Sequence, residues 1–294
     1  MHHPFFVRTD RYYPMSRGIT CIRFLLLMVV LLCGKAGAQE RIVSLAPHIT
    51  ELLFAVGAGD QIVATVEFSD YPEAALDIPR IGNSDRLNYE TILHMSPTLV
   101  LGWESGNGSD SLDRLRELGL NVHTHNPQSL EDVADSLRVF GLLSGNELAG
   151  ADQSNQFLIR LRDLEELYSE KQPVRLFYQL WDEPLMTING EHLISDVIRL
   201  CGGENVFSEA VPLIPKMSKE SVIRLNPDVI IRAQPSGESS EMANSWKQSW
   251  NEWSSVVAVR ESQLFSIHSD LMHRHSPRIL DGAAQVCEIL ASVR

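Results

Sequence analysis

The sequence predicts an α/β protein built from two lobes, each with a parallel sheet, joined by a single long α-helix. Three observations support this fold class. Short apolar runs alternate with helical patterns, one long helical stretch interrupts the alternation, and a segment before that stretch is repeated after it. Alternation of strands and helices is typical of a parallel sheet with helices on both faces.

Short apolar runs supply the strands. Buried parallel strands are apolar along their whole length, because helices cover both faces of the sheet. Such runs predict strands at residues 41–45, 62–66, 99–101, 120–123, 174–180, 229–231 and 264–267.

Helical patterns follow most of these strands. They predict helices at residues 50–57, 89–95, 112–118, 130–142, 193–200, 222–225 and 279–293. Asn88 and Ser129 stand where an N-cap belongs, because their side chains can accept a hydrogen bond from a free backbone N–H of the first turn. We expect Thr50 to cap the first helix in the same way. Residues 276–277 (Ser-Pro) suit an N-cap followed by proline at the first helical position.

The long helical stretch separates the two halves of the chain. It holds no Gly or Pro between residues 151 and 172, and Pro173 stops it. Its apolar residues fall on one stripe: Phe157, Leu161, Leu164 and Tyr168. A helix over residues 146–169 would be roughly 36 Å long.

The internal repeat places a similar unit on each side of that helix. Residues 90–101 (ETILHMSPTLVL) match residues 220–231 (ESVIRLNPDVII) at a constant offset, with identical Glu and Pro. Both copies read as a helix, a proline break and a buried strand. The repeat predicts two lobes of like topology. Ligands of open parallel sheets lie beyond the carboxyl ends of the strands, so we expect a ligand cleft between the lobes.

The N-terminus has the pattern of a secretory signal peptide. Residues 24–32 (FLLLMVVLL) are apolar, basic residues precede them, and residues 36–38 (Ala-Gly-Ala) form a small-residue cleavage site, with cleavage expected after Ala38. A bilayer-spanning helix needs about 20 apolar residues, so no stable membrane anchor is expected. Residues 1–14 carry no targeting pattern and suit an extension before a start at Met15.

These features divide the chain into four segments. The predicted boundaries are a signal peptide at 1–38, an N-terminal lobe at 39–145, a linking helix at 146–172 and a C-terminal lobe at 173–294.

Charge and motifs narrow the function. Asp and Glu number 38 against 25 Lys and Arg, which gives a formal net charge of −13. A nucleic-acid-binding face is basic, so no nucleic acid partner is expected. The sequence contains no GxSxG, P-loop, GxGxxG or HExxH motif, and it favours a protein that is not an enzyme.

Two constellations leave a remote enzymatic alternative, a secreted metal-dependent hydrolase. Asp182 and Glu183 are adjacent carboxylates, although neighbours on a strand point to opposite faces. The pairs 123/125 and 273/275 each place two histidines on one side of an extended segment, which suits either a metal site or the rim of a cleft.

Aromatic and sulfur-containing residues complete the picture. Trp246, Trp250 and Trp253 have the spacing of a helix packing face. Trp103 ends a strand before a Gly/Ser/Asn-rich loop, where an aromatic ring can face a cleft. Beyond the signal peptide two cysteines remain, Cys201 and Cys287, and in an exported chain they form either one disulfide or two buried thiols.

Six stretches, in order, carry a resemblance to a known family. They are RIVSLAPHITELLF (41–54), SDYP (69–72), LVLGWESGN (99–107), CGGENVF (201–207), VPLIPKMSKE (211–220) and HRHSPRIL (273–280). Together they resemble the periplasmic vitamin B12 (cobalamin) binding proteins of ABC importers, which belong to a wider class that also binds haem and iron–siderophores.

The resemblance implies two Rossmann-like lobes on a rigid helix and a monomeric, non-enzymatic carrier in the periplasm. It implies that the carrier takes cobalamin into its cleft and delivers it to the permease dimer of an ABC importer, with no cofactor besides this ligand. By position, the implied ligand-binding residues are Pro47, His48, Ile49, Tyr71, Trp103, Trp181, Met186, Ile214, Asp270, His273 and Arg274. The family's permease-docking acids fall on Glu220 and near Asp110, and its disulfide falls on Cys201 and Cys287.

The chain departs from the family pattern within the cleft. Ser84 and Ile214 stand where well-known members have tryptophan, and His48 and His273 replace a small residue and a carboxylate. Histidine can serve as an axial ligand to a porphyrin iron or a corrin cobalt. Haem, or an iron–siderophore, is therefore the alternative ligand.

Overall fold

A computed structural model describes residues 1–2 and 39–294, and the predicted signal peptide lies almost wholly outside the described residues. Residues 40–294 form one compact unit. Among the described residues, no helix has the length and apolar character needed to cross a lipid bilayer.

The N-terminal lobe contains a four-stranded parallel sheet and a small antiparallel pair. Its strands are β1 (Ile42–Ser44), β2 (Ile62–Ala64), β3 (Gly82–Asn83), β4 (Arg86–Leu87), β5 (Leu99–Trp103) and β6 (Val122–His125). Its helices are α1 (Pro47–Ala55), α2 (Tyr89–His94), α3 (Glu104–Asn107), α4 (Ser109–Glu117) and α5 (Leu130–Leu143). The parallel sheet has the order β2-β1-β5-β6, and β3 pairs with β4.

The C-terminal lobe follows the long helix α6 (Glu147–Tyr168). Its strands are β7 (Val174–Gln179), β8 (Gly203–Asn205), β9 (Val229–Gln234) and β10 (Leu264–His268). Its helices are α7 (Leu193–Leu200), α8 (Lys219–Leu225), α9 (Ser240–Trp250), α10 (Val257–Arg260), α11 (Ser269–His273) and α12 (Ile279–Ser292). The sheet is parallel with the order β10-β9-β7-β8.

The two sheets share one topology. In each, the first strand of the sheet along the chain lies between the sheet's second and third strands, and the fourth lies beside the third. The repeated segments correspond to α2 with β5 and to α8 with β9, so each repeat leads into the third strand of its parallel sheet. The prediction of two parallel-sheet lobes joined by one long helix is confirmed. The domain boundaries derived from the sequence stay predictions.

One hydrophobic core runs through both lobes and fixes them to the long helix. It joins Leu101 and Phe140 of the first lobe, Phe157 of α6, and Tyr178 and Leu280 of the second lobe. Helices α5 and α6 approach closely where two glycines meet. A Cβ atom added at Gly141 would lie 2.6 Å from the Cα atom of Gly150, so this crossing tolerates no side chain.

The helix caps follow the sequence in two places and depart from it in two others. The Asn88 side chain accepts from the backbone N–H of Thr91, and Ser129 forms a capping box with Asp132. The prediction that Thr50 caps the first helix is wrong. Helix α1 begins at Pro47, and the Thr50 hydroxyl lies inside it, hydrogen-bonded to the buried hydroxyls of Ser44 and Thr65.

The second departure concerns the start of the last helix. The prediction that Ser276 caps it is wrong, because α12 begins at Ile279. The Ser276 hydroxyl instead donates to a carboxylate oxygen of Glu51 in the other lobe (2.6 Å). A charge-assisted bond to a buried carboxylate is stronger than a bond to a neutral backbone group, which explains this choice of partner.

The second lobe contains the two cysteines and the regularly spaced tryptophans that the sequence singles out. Cys201 and Cys287 form a disulfide (S–S 2.05 Å), so the alternative of two buried thiols is excluded. It ties the end of α7 to the middle of α12. Trp246 and Trp250 are buried on one face of α9, as their spacing predicts, and both indoles donate to Oε1 of Gln179.

Candidate ligand-binding cleft

A cavity of about 1180 Å³ lies between the lobes, beyond the carboxyl ends of β5, β6, β7 and β10. Five of the lining residues come from the first lobe: Trp103, Ser105, Asn126, Pro127 and Gln128. Twelve come from the second lobe: Leu180, Trp181, Pro184, Met186, Glu191, His192, Leu193, Leu213, Ile214, Lys216, His273 and His275. The cleft therefore stands where the strand ends of two parallel sheets predict it.

The walls of the cavity are apolar and almost free of fixed charge. Trp103 and Trp181 supply large rings from opposite lobes, and one lysine, Lys216, and one carboxylate, Glu191, lie among the lining residues. Trp181 is held in place by a β-bridge to Met186, which bridges in turn to Lys216. Its ring stays largely exposed and is free to contact a ligand.

The cavity brings together some of the predicted ligand residues. Trp103, Trp181, Met186, Ile214 and His273 line it. Trp103 ends β5, Trp181 and Met186 follow β7, Ile214 lies between β8 and α8, and His273 ends α11.

Other predicted ligand residues do not line the cavity. Ile49 is fully buried in the core, which removes its side chain from any ligand in this conformation, and Pro47 begins α1. His48 is also buried, with its ring in a T-shaped contact 5.0 Å from the Trp103 ring. Tyr71, Asp270 and Arg274 are not among the lining residues either.

Arg274 and Tyr71 do not line the cavity because they belong to a set of contacts between the lobes, mainly ion pairs. We call this set the interlobe clamp. Its members are Glu51, Asp70 and Tyr71 of the first lobe and Asp270, Arg274, Ser276 and Arg278 of the second. The Arg274 guanidinium donates to Glu51 (3.0 Å) and to Asp70 (2.7 Å), and it pairs with Asp270.

Glu51 is the centre of the clamp. Besides Arg274 and Ser276, its carboxylate accepts two bonds from Arg278, at 2.9 and 2.5 Å, although the carboxylate itself is buried. The Arg278 guanidinium also lies over the Tyr71 ring, 3.8 Å from its centre. The SDYP motif and residues 274–278 are thus joined across the lobe interface, and the charges of Arg274 and Arg278 are already paired with carboxylates.

A cluster of histidines lies beneath and along the cavity. The Ser136 hydroxyl donates its proton to the Asp132 carbonyl. Oγ of Ser136 can therefore accept a hydrogen bond from Nδ1–H of His125 (3.3 Å). Nε2 of His125 then carries the lone pair, and Nε2–H of His48 donates to it (3.1 Å). Burial, and the neighbouring histidines, hold the pKa of His48 well below its usual value.

Three more histidines face the cavity itself. Burial lowers the pKa of His273 and of His275 to about 4, and that of His192 to about 3, with like-charged histidine neighbours adding to the effect at His192 and His275. These imidazoles are therefore neutral at pH 7. The sequence does not predict His192 or His275 as ligand contacts. His275 belongs to the 273/275 pair, so a signal existed, whereas His192 looks like an ordinary residue before a helix.

This cluster should make the protein sensitive to mild acid. Between about pH 6.5, where the unfolded chain takes up protons, and about pH 4, where His125 and His275 do so in the fold, the unfolded state binds more protons. Stability therefore falls as the pH drops through this window. From His125 and His275 alone, we expect the free energy of unfolding to fall by about 2–3 kcal/mol between pH 7 and pH 5.5, measured by urea denaturation. A His125→Gln variant should lose less over the same interval; a flat profile above pH 5 would contradict the assignment.

The residues of the hydrolase alternative do not converge. Asp182 accepts from the Gln179 side chain (2.5 Å) and pairs weakly with Arg232 (3.8 Å), and neither Asp182 nor Glu183 lines the cavity. Within residues 1–2 and 39–294, no group of three or more His, Cys, Asp or Glu side chains is arranged to hold a metal ion.

The predicted docking acids are both exposed and stand in the first turns of helices. Asp110 is in α4 and Glu220 is in α8. A hydrogen bond from Ser218 lowers the pKa of Glu220, so it is ionised. Glu90, the repeat partner of Glu220, is exposed in the first turn of α2, the equivalent helix of the first lobe.

Comparison with known proteins gives one family and consistent relatives. A profile described as "Periplasmic binding protein" matches residues 42–271. The chain is 36% identical over 259 residues to a vitamin B12-binding protein of Vibrio cholerae serotype O1, covering 88% of this chain and 92% of that protein. It is 34% identical over 281 residues to the vitamin B12-binding protein of Yersinia pestis, covering 96% and 95%.

Solved structures agree. The crystal structure of the periplasmic vitamin B12 binding protein BtuF of Vibrio cholerae superposes with a TM-score of 0.80 at 36% identity, covering 86% of this chain and 97% of that one. The periplasmic heme-binding protein RhuT of Roseiflexus sp. RS-1 has a TM-score of 0.76 at 22% identity, covering 87% and 99%, and shares the fold.

Proposed function

Because the chain belongs to the periplasmic binding protein family, we propose that it captures a corrinoid of the vitamin B12 type in the interlobe cavity and delivers it to an ABC importer. The relatives at 36% and 34% identity carry the name of vitamin B12-binding proteins, which supports this ligand. The proposal includes a monomeric, non-enzymatic carrier whose signal peptide is cleaved after Ala38.

The observation that carries the proposal is the large, apolar and nearly uncharged cavity. Its volume of about 1180 Å³ exceeds the ~300–1,000 Å³ of ordinary ligand pockets. A corrin is a broad, partly apolar disc edged with neutral amides. It needs flat aromatic walls and a few hydrogen-bond partners, and it needs no countercharge. Trp103, Trp181, Met186, Ile214 and His273 are the residues that we propose to contact it.

The electrostatics of the cleft disfavour the anionic alternatives. Haem propionates and ferric siderophores are negatively charged and call for free arginines or lysines. Arg274 and Arg278 are bound to Glu51 in the interlobe clamp, which leaves Lys216 as the cation among the lining residues.

An isothermal titration tests the ligand directly. Residues 39–294 are titrated with cyanocobalamin, and a parallel optical titration uses haemin. We expect one-to-one binding of cyanocobalamin with a dissociation constant in the micromolar range or below. A shifted Soret band with haemin, and no heat with cyanocobalamin, would move the function to haem carriage.

Trp181→Ala should weaken cyanocobalamin binding by about 1–3 kcal/mol. The ring lines the cavity, and it is 57% exposed, so its loss removes a wall without opening the core. The melting temperature of the free protein should therefore stay nearly unchanged. Leu148→Ala, at an 89% exposed position on α6, is the matched control and should leave both quantities unchanged. If Trp181→Ala binds cyanocobalamin as tightly as the parent, Trp181 does not contact the ligand.

Docking acids, one in each lobe, complete the proposal. Glu220 serves the second lobe. In the first lobe the resemblance suggests Asp110, whereas the repeat and the shared topology place Glu90 at the position equivalent to Glu220. Acids on two pseudo-equivalent helices suit a permease with two like subunits, since such pairs set orientation and encounter rate.

Cobalamin uptake separates the two candidates. Vibrio cholerae lacking its own vitamin B12-binding protein is complemented with the chain or its variants, and uptake of labelled cyanocobalamin is followed. We expect Glu90→Ala combined with Glu220→Ala to reduce uptake strongly, with Asp110→Ala close to the parent. Titrations in solution should be unchanged for all variants. Reduced uptake with Asp110→Ala alone would assign the first contact to Asp110.

A further inference from the structure

The wall of the cavity holds nitrogen donors that capture of cobalamin itself does not require. His192, His273 and His275 all line it. Two of these rings have partners: Nδ1 of His192 accepts from the backbone N–H of Ile194 (3.1 Å), and Nε2 of His273 bonds to the Tyr178 hydroxyl (3.2 Å). Nδ1 of His275 is buried, and within the described part of the chain it has no hydrogen-bond partner.

The backbone holds His275 firmly at this place. Its two neighbours in sequence, Arg274 and Ser276, both donate to Glu51 across the lobe interface, at 3.0 and 2.6 Å. Its ring packs among aromatic rings, with centres 5.7 Å from His48 and 6.0 Å from Trp103. Because both neighbours are fixed by charge-assisted bonds, the position of His275 in the cavity wall is preorganised, as metal coordination requires.

We propose that His275 is an axial ligand to the cobalt of corrinoids whose lower coordination position is open, such as cobinamide, which lacks the nucleotide base. This inference rests on the proposed function and extends the ligand range of the same cavity to incomplete corrinoids. In the exchange, a neutral imidazole nitrogen forms the bond to cobalt, the bond from cobalt to a water ligand breaks, and the water leaves. The oxidation state of cobalt does not change.

The histidine is in the right protonation state for this step. A coordinating imidazole must be neutral, and burial lowers the pKa of His275 to about 4, so its lone pair is available at pH 7. His48, the other candidate from the sequence, is buried and hydrogen-bonded to His125 through Nε2. His273 is bonded to Tyr178. The geometry therefore favours His275 over both.

An absorption titration with diaquocobinamide tests the proposal. Exchange of an oxygen ligand for nitrogen moves the visible and near-ultraviolet bands of the corrin, so the parent protein should shift the cobinamide spectrum on binding. His275→Ala should abolish the shift and weaken cobinamide binding at least tenfold. Cyanocobalamin, whose two axial positions are filled, loses only the packing contact of this ring in the variant, so its affinity should fall by a smaller factor than that of cobinamide.

Controls separate this proposal from its alternatives. His123→Ala, at a histidine outside the cavity lining, should behave as the parent protein. His275→Gln checks that a polar side chain of similar reach keeps the fold but does not restore the shift. Cobinamide binding without a spectral shift, or a shift lost in His192→Ala or His273→Ala but kept in His275→Ala, would overturn the assignment. Failure of the parent to bind cyanocobalamin would instead overturn the proposed function.

Discussion

Replacing Glu51 by Gln should lower the free energy of unfolding by about 3–5 kcal/mol, the range observed when one partner of a buried ion pair is removed. The Glu51 carboxylate accepts four bonds from Arg274, Ser276 and Arg278 of the other lobe, and it is 3% exposed. A neutral amide of the same size cannot offset two guanidinium charges. It also brings an N–H₂ group to a place where every neighbour donates.

Urea denaturation of residues 39–294 measures this loss. Glu166→Gln, at an exposed position of α6, removes a carboxylate of the same kind outside the clamp and should change stability by less than about 0.5 kcal/mol. Because the clamp joins the two lobes that line the cavity, we also expect Glu51→Gln to weaken cyanocobalamin binding. If Glu51→Gln is as stable as the Glu166→Gln control, the carboxylates of Asp70 and Asp270 are enough to compensate the charge of Arg274, and the central role of Glu51 is wrong.

Removing the disulfide should cost a comparable amount. Cys201 and Cys287 are 86 residues apart, and a crosslink closing a loop of that length stabilises the fold by about 4–5 kcal/mol when it acts by restricting the unfolded chain. The double variant Cys201→Ser with Cys287→Ser should therefore have a much lower denaturation midpoint than the oxidised parent.

Two measurements accompany this variant. Thiol counting under denaturing conditions should find no free thiol in the mature parent. A second double variant, with alanine at both positions, separates loss of the crosslink from the cost of burying two hydroxyls, since both cysteines are fully buried. If the alanine variant is as stable as the parent, the unfolded chain gains little freedom and the loop-entropy account fails here.

The sequence predicted the parts of this fold that local rules govern. Helix α7 falls at its predicted residues, Asn88 and Ser129 cap as expected, and the repeat gives two lobes of like topology. Each of these depends on hydrophobic periodicity, capping chemistry or similarity within a short window. The cavity follows as well, because strand ends of parallel sheets meet at one edge.

What the sequence could not give depends on contacts between distant residues. Thr50 looks like an N-cap until the hydroxyls of Ser44 and Thr65 are placed beside it. The bond between Arg274 and Glu51 joins residues 223 positions apart, and the role of Arg274 as a ligand contact stays a prediction. Buried ion pairs leave no periodic signal, so the sequence gives no sign that Tyr71 and Arg274, which the resemblance implies as ligand contacts, also join the lobes.

The uneven lining of the cavity has a consequence for the order of release. Five lining residues belong to the first lobe and twelve to the second. If delivery to the proposed importer separates the lobes, the ligand loses its smaller set of contacts first, so we expect it to remain on the C-terminal lobe. The ligand would then make its last contacts with the wall that contains Trp181 and Ile214. It would leave the cleft from the side of the C-terminal lobe.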